Sequence, residues 1–265
     1  MNRSSCVAPL MLLLVFASIS CEDDNPAAPE PVPYAARVLF IGNSLTYTNY
    51  LPKMIDSLAI ASGISIRSTE IASGGFGLID HWNIPSRRTA VENGHFDVVI
   101  LQQGPSSLPQ NRDSLRIWSE LWEPTIRGAG GVPGLFAVWP DKSRFFAFAD
   151  VSESYRLAAH AVNGLFFPVG DVWLETWKVI PTAPLYGTDD FHPAVAGTYA
   201  AAVTIVAVLS GRDPVSLASR FTMPPELYYT RIDSTLAATI RAAAGVVLER
   251  NQQPGRPRRY GGSKQ

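Results

Sequence analysis

The feature that most constrains this chain is an alternation: short, wholly apolar runs recur along it, and between them lie stretches with helical periodicity. A run with no polar alternation suits a strand buried on both faces, which requires a parallel sheet with helices packed on each side. The spacing predicts strands over Val38–Ile41, Ile64–Ile71, Val98–Leu101, Gly134–Trp139 and Leu165–Val169. It predicts helices over Leu51–Ala61, Asp113–Arg127, Ala149–Val162, Ala194–Leu209 and Ser234–Glu249. No repeat period interrupts the pattern. At 265 residues, 46% hydrophobic and 17% charged, the chain suffices for one large domain. The expectation is an α/β fold, a three-layer α/β/α sandwich with a mainly parallel central sheet, over residues 34–250.

The first strand runs into the turn Gly42-Asn43-Ser44, and from there the chain enters a helix in which Leu51, Met54, Ile55, Leu58 and Ala59 share a face and Pro52 sits in the first turn. Ser44 therefore falls just beyond the carboxyl end of a strand, where open α/β sheets bind ligands. Two readings fit. Gly42, Asn43 and Ser44 are turn formers, with Thr48 or Asn49 capping the helix. Alternatively Ser44 is a nucleophile on a tight turn, and Gly42 keeps its approach clear.

Near the other end, "YGTDDFHPAVAGTYAAA" begins at Tyr186 and sets Asp189 three residues before His192. A carboxylate and an imidazole so spaced on one loop can bond directly, fixing the ring tautomer and stabilising the imidazolium. The plainer reading makes Asp189 and Asp190 turn or cap residues and His192 an ordinary loop residue.

Together, "GNSL" at Gly42–Leu45 and "DDFHPAVAG" from Asp189 resemble the SGNH, or GDSL-type, hydrolase family, whose fold is a flavodoxin-like α/β/α sandwich. The resemblance implies a serine esterase with Ser44 as nucleophile, His192 as general base and later acid, and Asp189 as the orienting acid. It implies no metal or organic cofactor. It also implies oxyanion donors: the N–H of Ser44 and, in "EIASGGFGLIDHW", that of Gly75, preferred to Gly74 because Gly75-Phe76-Gly77-Leu78 aligns with the family pattern. A flexible turn is the alternative there. A further block departs from the family. "DVVILQQGPSS" carries Ser106 where asparagine is usual, and its glutamines make Gln103 or Gln102 the other candidate donors.

His81, Trp82 and Trp139 lie near these turns and are candidate substrate contacts, with helix packing the alternative for His81 and Trp82. Trp118, Trp122, Trp173, Trp177 and the phenylalanines at 145, 146 and 148 read as core or cleft wall. His95 and His160 have no partners at metal-ligand spacing.

At the amino end, Arg3 precedes the apolar stretch Val7–Phe16, as in a secretory signal over residues 1–20. "ASISC" resembles a bacterial lipoprotein processing site that would lipidate Cys21, although Ser18 stands where leucine is usual; ordinary signal-peptidase cleavage is the alternative. Residues 21–33 then read as an acidic, proline-rich tether, and residues 251–265 as a disordered basic tail. The expectation is an exported bacterial protein, held to a membrane through an N-terminal lipid. Cys6 and Cys21 are the only cysteines, so the mature domain would hold no disulfide and no Cys-based metal site. A net charge of −1 argues against a nucleic-acid partner. Short acyl or acetyl esters, on carbohydrate or small molecules, are the substrate class that the family analogy suggests. A non-catalytic carbohydrate-binding lipoprotein on the same scaffold is the rival, and a flavodoxin-like phosphate turn at "GNSLTYTN" a third reading.

Overall fold

The computed structural model describes Met1, residues 35–227 and residues 231–251. The signal segment, Cys6, Cys21, the 21–33 tether and the 251–265 tail beyond Asn251 lie outside the described residues.

Five strands form one sheet: β1 (Ala35–Gly42), β2 (Ser65–Ala72), β3 (Val98–Leu101), β4 (Val132–Phe136) and β5 (Leu165–Phe167). Their order is β2-β1-β3-β4-β5 and every pairing is parallel. Val38, Leu39, Phe40 and Ile41 are wholly buried, as are Val98, Ile100 and Leu101, because helices cover both faces of the central strands. Each such side chain contributes roughly 1.5–3 kcal/mol by leaving water. Edge strand β2 instead exposes Ser65, Arg67 and Glu70, and charge along an open edge discourages pairing with other chains.

The helices are α1 (Ser44–Tyr47), α2 (Leu51–Ala61), α3 (Leu78–Trp82), α4 (Pro85–Gly94), α5 (Pro109–Gly128), α6 (Phe148–Ala161), α7 (Val169–Val179), α8 (Val195–Ser210) and α9 (Ser234–Arg250). One layer joins α2 to α8 and α8 to α9, with α7 packed on both α8 and α9; the other joins α3, α4 and α6 to α5. Helix α8 is buried almost all round, which its alanine-rich sequence permits. No helix among the described residues is long and apolar enough to cross a membrane.

The predicted three-layer sandwich with a parallel sheet is the observed one. The differences are local. Strand β4 ends at Phe136, so Trp139 lies in the connection beyond it, and β5 ends at Phe167, with Val169 already starting α7. Helix α4 escaped the sequence pattern because only Val91 of it is buried. After β1 the chain moves outward to β2, then crosses back to β3. The carboxyl ends of β1 and β3 therefore flank the switch point at which such sheets open a crevice.

Candidate active site

Ser44 starts α1 at that switch point, and Asn43 caps the helix through Oδ1, which accepts the Leu45 N–H at 3.1 Å. Beneath the turn lies Gln102, fully buried one residue beyond β3. Its Oε1 accepts from the Asn43 N–H (2.9 Å) and the Thr46 hydroxyl (2.8 Å), while its Nε2 donates to Asn43 Oδ1 (3.0 Å) and the Gln103 carbonyl (2.6 Å). All four hydrogen-bonding positions of the amide are thereby occupied. A Cβ on Gly42 would stand 2.3 Å from Thr46 Oγ1 and 2.5 Å from Gln102 Oε1. Glycine is needed there for this buried network rather than to clear a path to Ser44.

His192 reaches the turn from the opposite end of the chain. Its Nε2 is 2.8 Å from Ser44 Oγ, and its Nδ1 is 2.5 Å from Asp189 Oδ2. A carboxylate can only accept, so Nδ1 carries the proton and Nε2 is left to accept from the serine hydroxyl. Asp189 Oδ1 takes the N–H groups of Phe191 (3.1 Å) and His192 (2.9 Å). The bond from the His192 ring, followed by that from the Phe191 N–H, lowers the Asp189 carboxyl to about 2.

Long-range bonds hold this loop. Gly187 donates its N–H to the His192 carbonyl at 2.7 Å, and Tyr186 pairs with Pro193 in an isolated antiparallel bridge. Asn49, in left-handed conformation at φ 54°, donates from Nδ2 to the Pro193 carbonyl at 2.8 Å and to Thr198 Oγ1 at 3.0 Å. The Lys142 ammonium reaches Asp190 Oδ1 at 2.7 Å.

The remaining predicted site residues separate. Gly75 lies in the loop between β2 and α3 at φ 77°, and among the described residues neither its N–H nor that of Gly74 meets an acceptor. That loop is fastened to the serine turn by the Ser73 N–H on the Gly42 carbonyl (3.1 Å) and by Asn43 Nδ2 on the Phe76 carbonyl (3.0 Å). Gln103 and Ser106 are corrected: Gln103 Nε2 donates to Ser106 Oγ (2.9 Å) and the Asn111 carbonyl (3.4 Å), and the Ser106 hydroxyl donates to the Gly104 carbonyl (3.0 Å). These side chains brace their own loop and offer no donor to a ligand.

Of the three candidate substrate contacts, His81 and Trp139 are corrected, and Trp82 takes the helix-packing alternative. His81 is wholly buried; its Nε2–H donates to the Gly42 carbonyl at 2.8 Å and its Nδ1 accepts from Arg87. Burial, then the Arg87 charge, lowers its pKa to about 4, so the ring is neutral. Trp82 packs edge-on against Trp122 of α5 and beneath the Arg88 guanidinium. Trp139 is buried, stacked 3.8 Å from Trp173, and its indole N–H donates to the Phe191 carbonyl at 2.9 Å. It supports the histidine loop from below. Sequence reasoning passed over Asn49 as anything but a helix cap, and Tyr155 altogether, because their partners lie 144 and 52 positions away.

The amino-acid sequence matches no family model and no curated protein. Solved structures do match. A DUF4886 family protein from Bacteroides uniformis superposes with a TM-score of 0.65 at 18% identity, covering 83% of this chain and 96% of its own. A candidate SGNH hydrolase from Slackia heliotrinireducens gives 0.55 at 23% identity, covering 66% and 99%. The fold is that of the SGNH hydrolases. A catalytic mutant of an acetylxylan esterase from Geobacillus stearothermophilus shares this SGNH-type fold, with a TM-score of 0.51 at 17% identity, covering 70% and 97%. In this chain, the SGNH-type sheet brings the hydroxyl of Ser44 and the imidazole of His192 together across 148 positions of sequence.

Proposed function

We propose that this chain is an exported serine esterase that hydrolyses carboxylic esters through Ser44, His192 and Asp189. The single observation that carries the reading is the continuous line of hydrogen bonds from Ser44 Oγ through the His192 ring to Asp189. His192 takes the Ser44 proton as Oγ attacks the acyl carbonyl, and Asp189 stabilises the imidazolium that results. The N–H groups of Ser44 and Gly75 hold the oxyanion of the tetrahedral intermediate. As that intermediate collapses, His192 returns the proton to the departing alcohol oxygen. The same ring then activates a water, which attacks the acyl-serine and releases the acid.

Short acyl or acetyl esters, on carbohydrates or small molecules, are the proposed substrates. Support comes from the fold shared with an acetylxylan esterase. Residues Arg3, Val7–Phe16 and Cys21 support export and attachment to a membrane through a lipid.

An activity panel tests the reading: p-nitrophenyl esters of increasing acyl length and acetylated xylo-oligosaccharides, offered to wild type and Ser44→Ala in parallel. Acetate esters should be cleaved fastest, and the variant should lose hydrolysis throughout. A Ser44→Ala protein as active as wild type would overturn the proposal.

A further inference from the structure

We infer that the backbone N–H of Gly104 is a further oxyanion donor, supplied by a peptide bond in a loop where the side-chain donors of Gln102, Gln103 and Ser106 are engaged elsewhere. The inference rests on the esterase reading and deepens it. It begins with the register: Ile41 pairs with Leu101, and the Gln102 N–H still donates to the Ile41 carbonyl at 2.9 Å. That register sets Gln102 beside Gly42 at the strand ends, and Gly104 follows Gln102 by two residues as Ser44 follows Gly42, so both leave the sheet at the same switch point.

The direction of the N–H follows from its own peptide. The Gln103 carbonyl points inward, where it accepts from Tyr155 Oη at 2.5 Å and from Gln102 Nε2 at 2.6 Å. Both partners are fully buried. No peptide among the described residues is cis, and in a trans peptide the N–H lies antiparallel to the C=O. The Gly104 N–H is therefore directed away from the buried groups of Tyr155 and Gln102 that hold the Gln103 carbonyl. It meets no acceptor among the described residues.

Gly104 and Pro105 are the partly exposed pair in an otherwise buried run from Val98 to Ser107. The peptide cannot readily rotate. Tyr155 Oη also accepts the Gln103 N–H at 3.1 Å, and the Ser106 hydroxyl holds the Gly104 carbonyl at 3.0 Å. An N–H fixed in advance beside a nucleophile needs no reorganisation when charge develops, which is the property that makes such donors effective.

Gly104 also permits a clean control. A Cβ there meets nothing within 4 Å, and its φ lies outside the left-handed region, so alanine is accommodated and retains the N–H. Proline removes it. Gly104→Pro should therefore have a kcat lower than that of Gly104→Ala by on the order of 10²–10³, with little difference in KM. The decisive experiment avoids substitution: the ¹⁵N-labelled chain is treated with a p-nitrophenyl phosphonate, whose phosphoryl oxygen occupies the oxyanion position once phosphorus is bonded to Ser44 Oγ and nitrophenolate has left. The amide proton resonances of Ser44, Gly75 and Gly104 should move downfield together. A labelled protein in which Ser44 and Gly75 shift but Gly104 stays in place overturns this inference and leaves the esterase reading intact. Absence of any label on Ser44 overturns both.

Discussion

The two halves of the site are built by opposite means. The serine turn is part of the interior: Asn43, Thr46 and Gln102 are buried, and amide side chains satisfy one another around Gly42. The histidine loop lies on the surface, with the side chains of His192 and Asp189 35% and 52% exposed, and it is secured by a few bonds from Trp139, Asn49 and Lys142. Ser44 is thus placed by the folding of the core, whereas His192 is placed by a surface loop held through a few bonds. Damage to the turn should reduce stability and activity together. Damage to the loop should reduce activity alone.

The largest separation of these effects is expected at His192. His192→Ala should lower kcat by on the order of 10⁴ or more while leaving the thermal midpoint close to wild type, since both hydrogen bonds of the ring are made within the site, to Asp189 and Ser44. A variant that instead unfolds would show the loop to be part of the cooperative core. Gln102→Ala tests the other side. It strands the Asn43 N–H and the Thr46 hydroxyl in the interior, and should destabilise the fold by about 2–4 kcal/mol in urea titrations, with activity falling as the turn loosens. Stability within experimental error of wild type would refute the idea that the turn is core-built.

Smaller effects should come from the braces. Trp139→Phe keeps an aromatic ring against Trp173 but removes the donor to the Phe191 carbonyl, and Asn49→Ala removes the donor to the Pro193 carbonyl. Each should reduce kcat about ten-fold, equivalent to ~1.4 kcal/mol, with KM nearly unchanged. A rise in KM at constant kcat would assign them to substrate binding instead.

Acid should dismantle the two regions in different pH windows. His81 is neutral in the fold, with its pKa lowered from 6.5 to about 4. The unfolded chain takes up a proton first, so the contribution of His81 is complete above pH 6.5 and declines as pH falls toward 4. The Asp189 pairing is retained lower, complete above the ordinary 3.8 and lost as pH falls through about 2. Urea midpoints recorded from pH 7 to pH 4 should fall less steeply in His81→Gln than in wild type. Parallel curves would show that His81 does not carry the effect.

Much of this was legible in the sequence. The apolar runs at Val38–Ile41 and Val98–Leu101 lie within observed strands, and the Leu51–Ala61 helix has the predicted bounds, because burial on two faces leaves an unmistakable pattern. Short motifs singled out Ser44, Asp189 and His192, and the fold links their side chains by hydrogen bonds. What the motifs omit is direction. Nothing local distinguishes a His81 that faces a cleft from one that turns inward to the Gly42 carbonyl, or a Gln103 free to donate from one already committed to Ser106. Tyr155 and Asn49 act on residues far away in the chain, and only the fold reveals such pairings.

The most direct test of the proposed chemistry is to catch its covalent intermediate. Wild-type protein mixed rapidly with p-nitrophenyl acetate, quenched in acid and digested should yield a peptide acetylated at Ser44 and a matching initial burst of nitrophenolate, both lost in His192→Ala. Steady hydrolysis of that ester with Ser44 unmodified at every time point would contradict it.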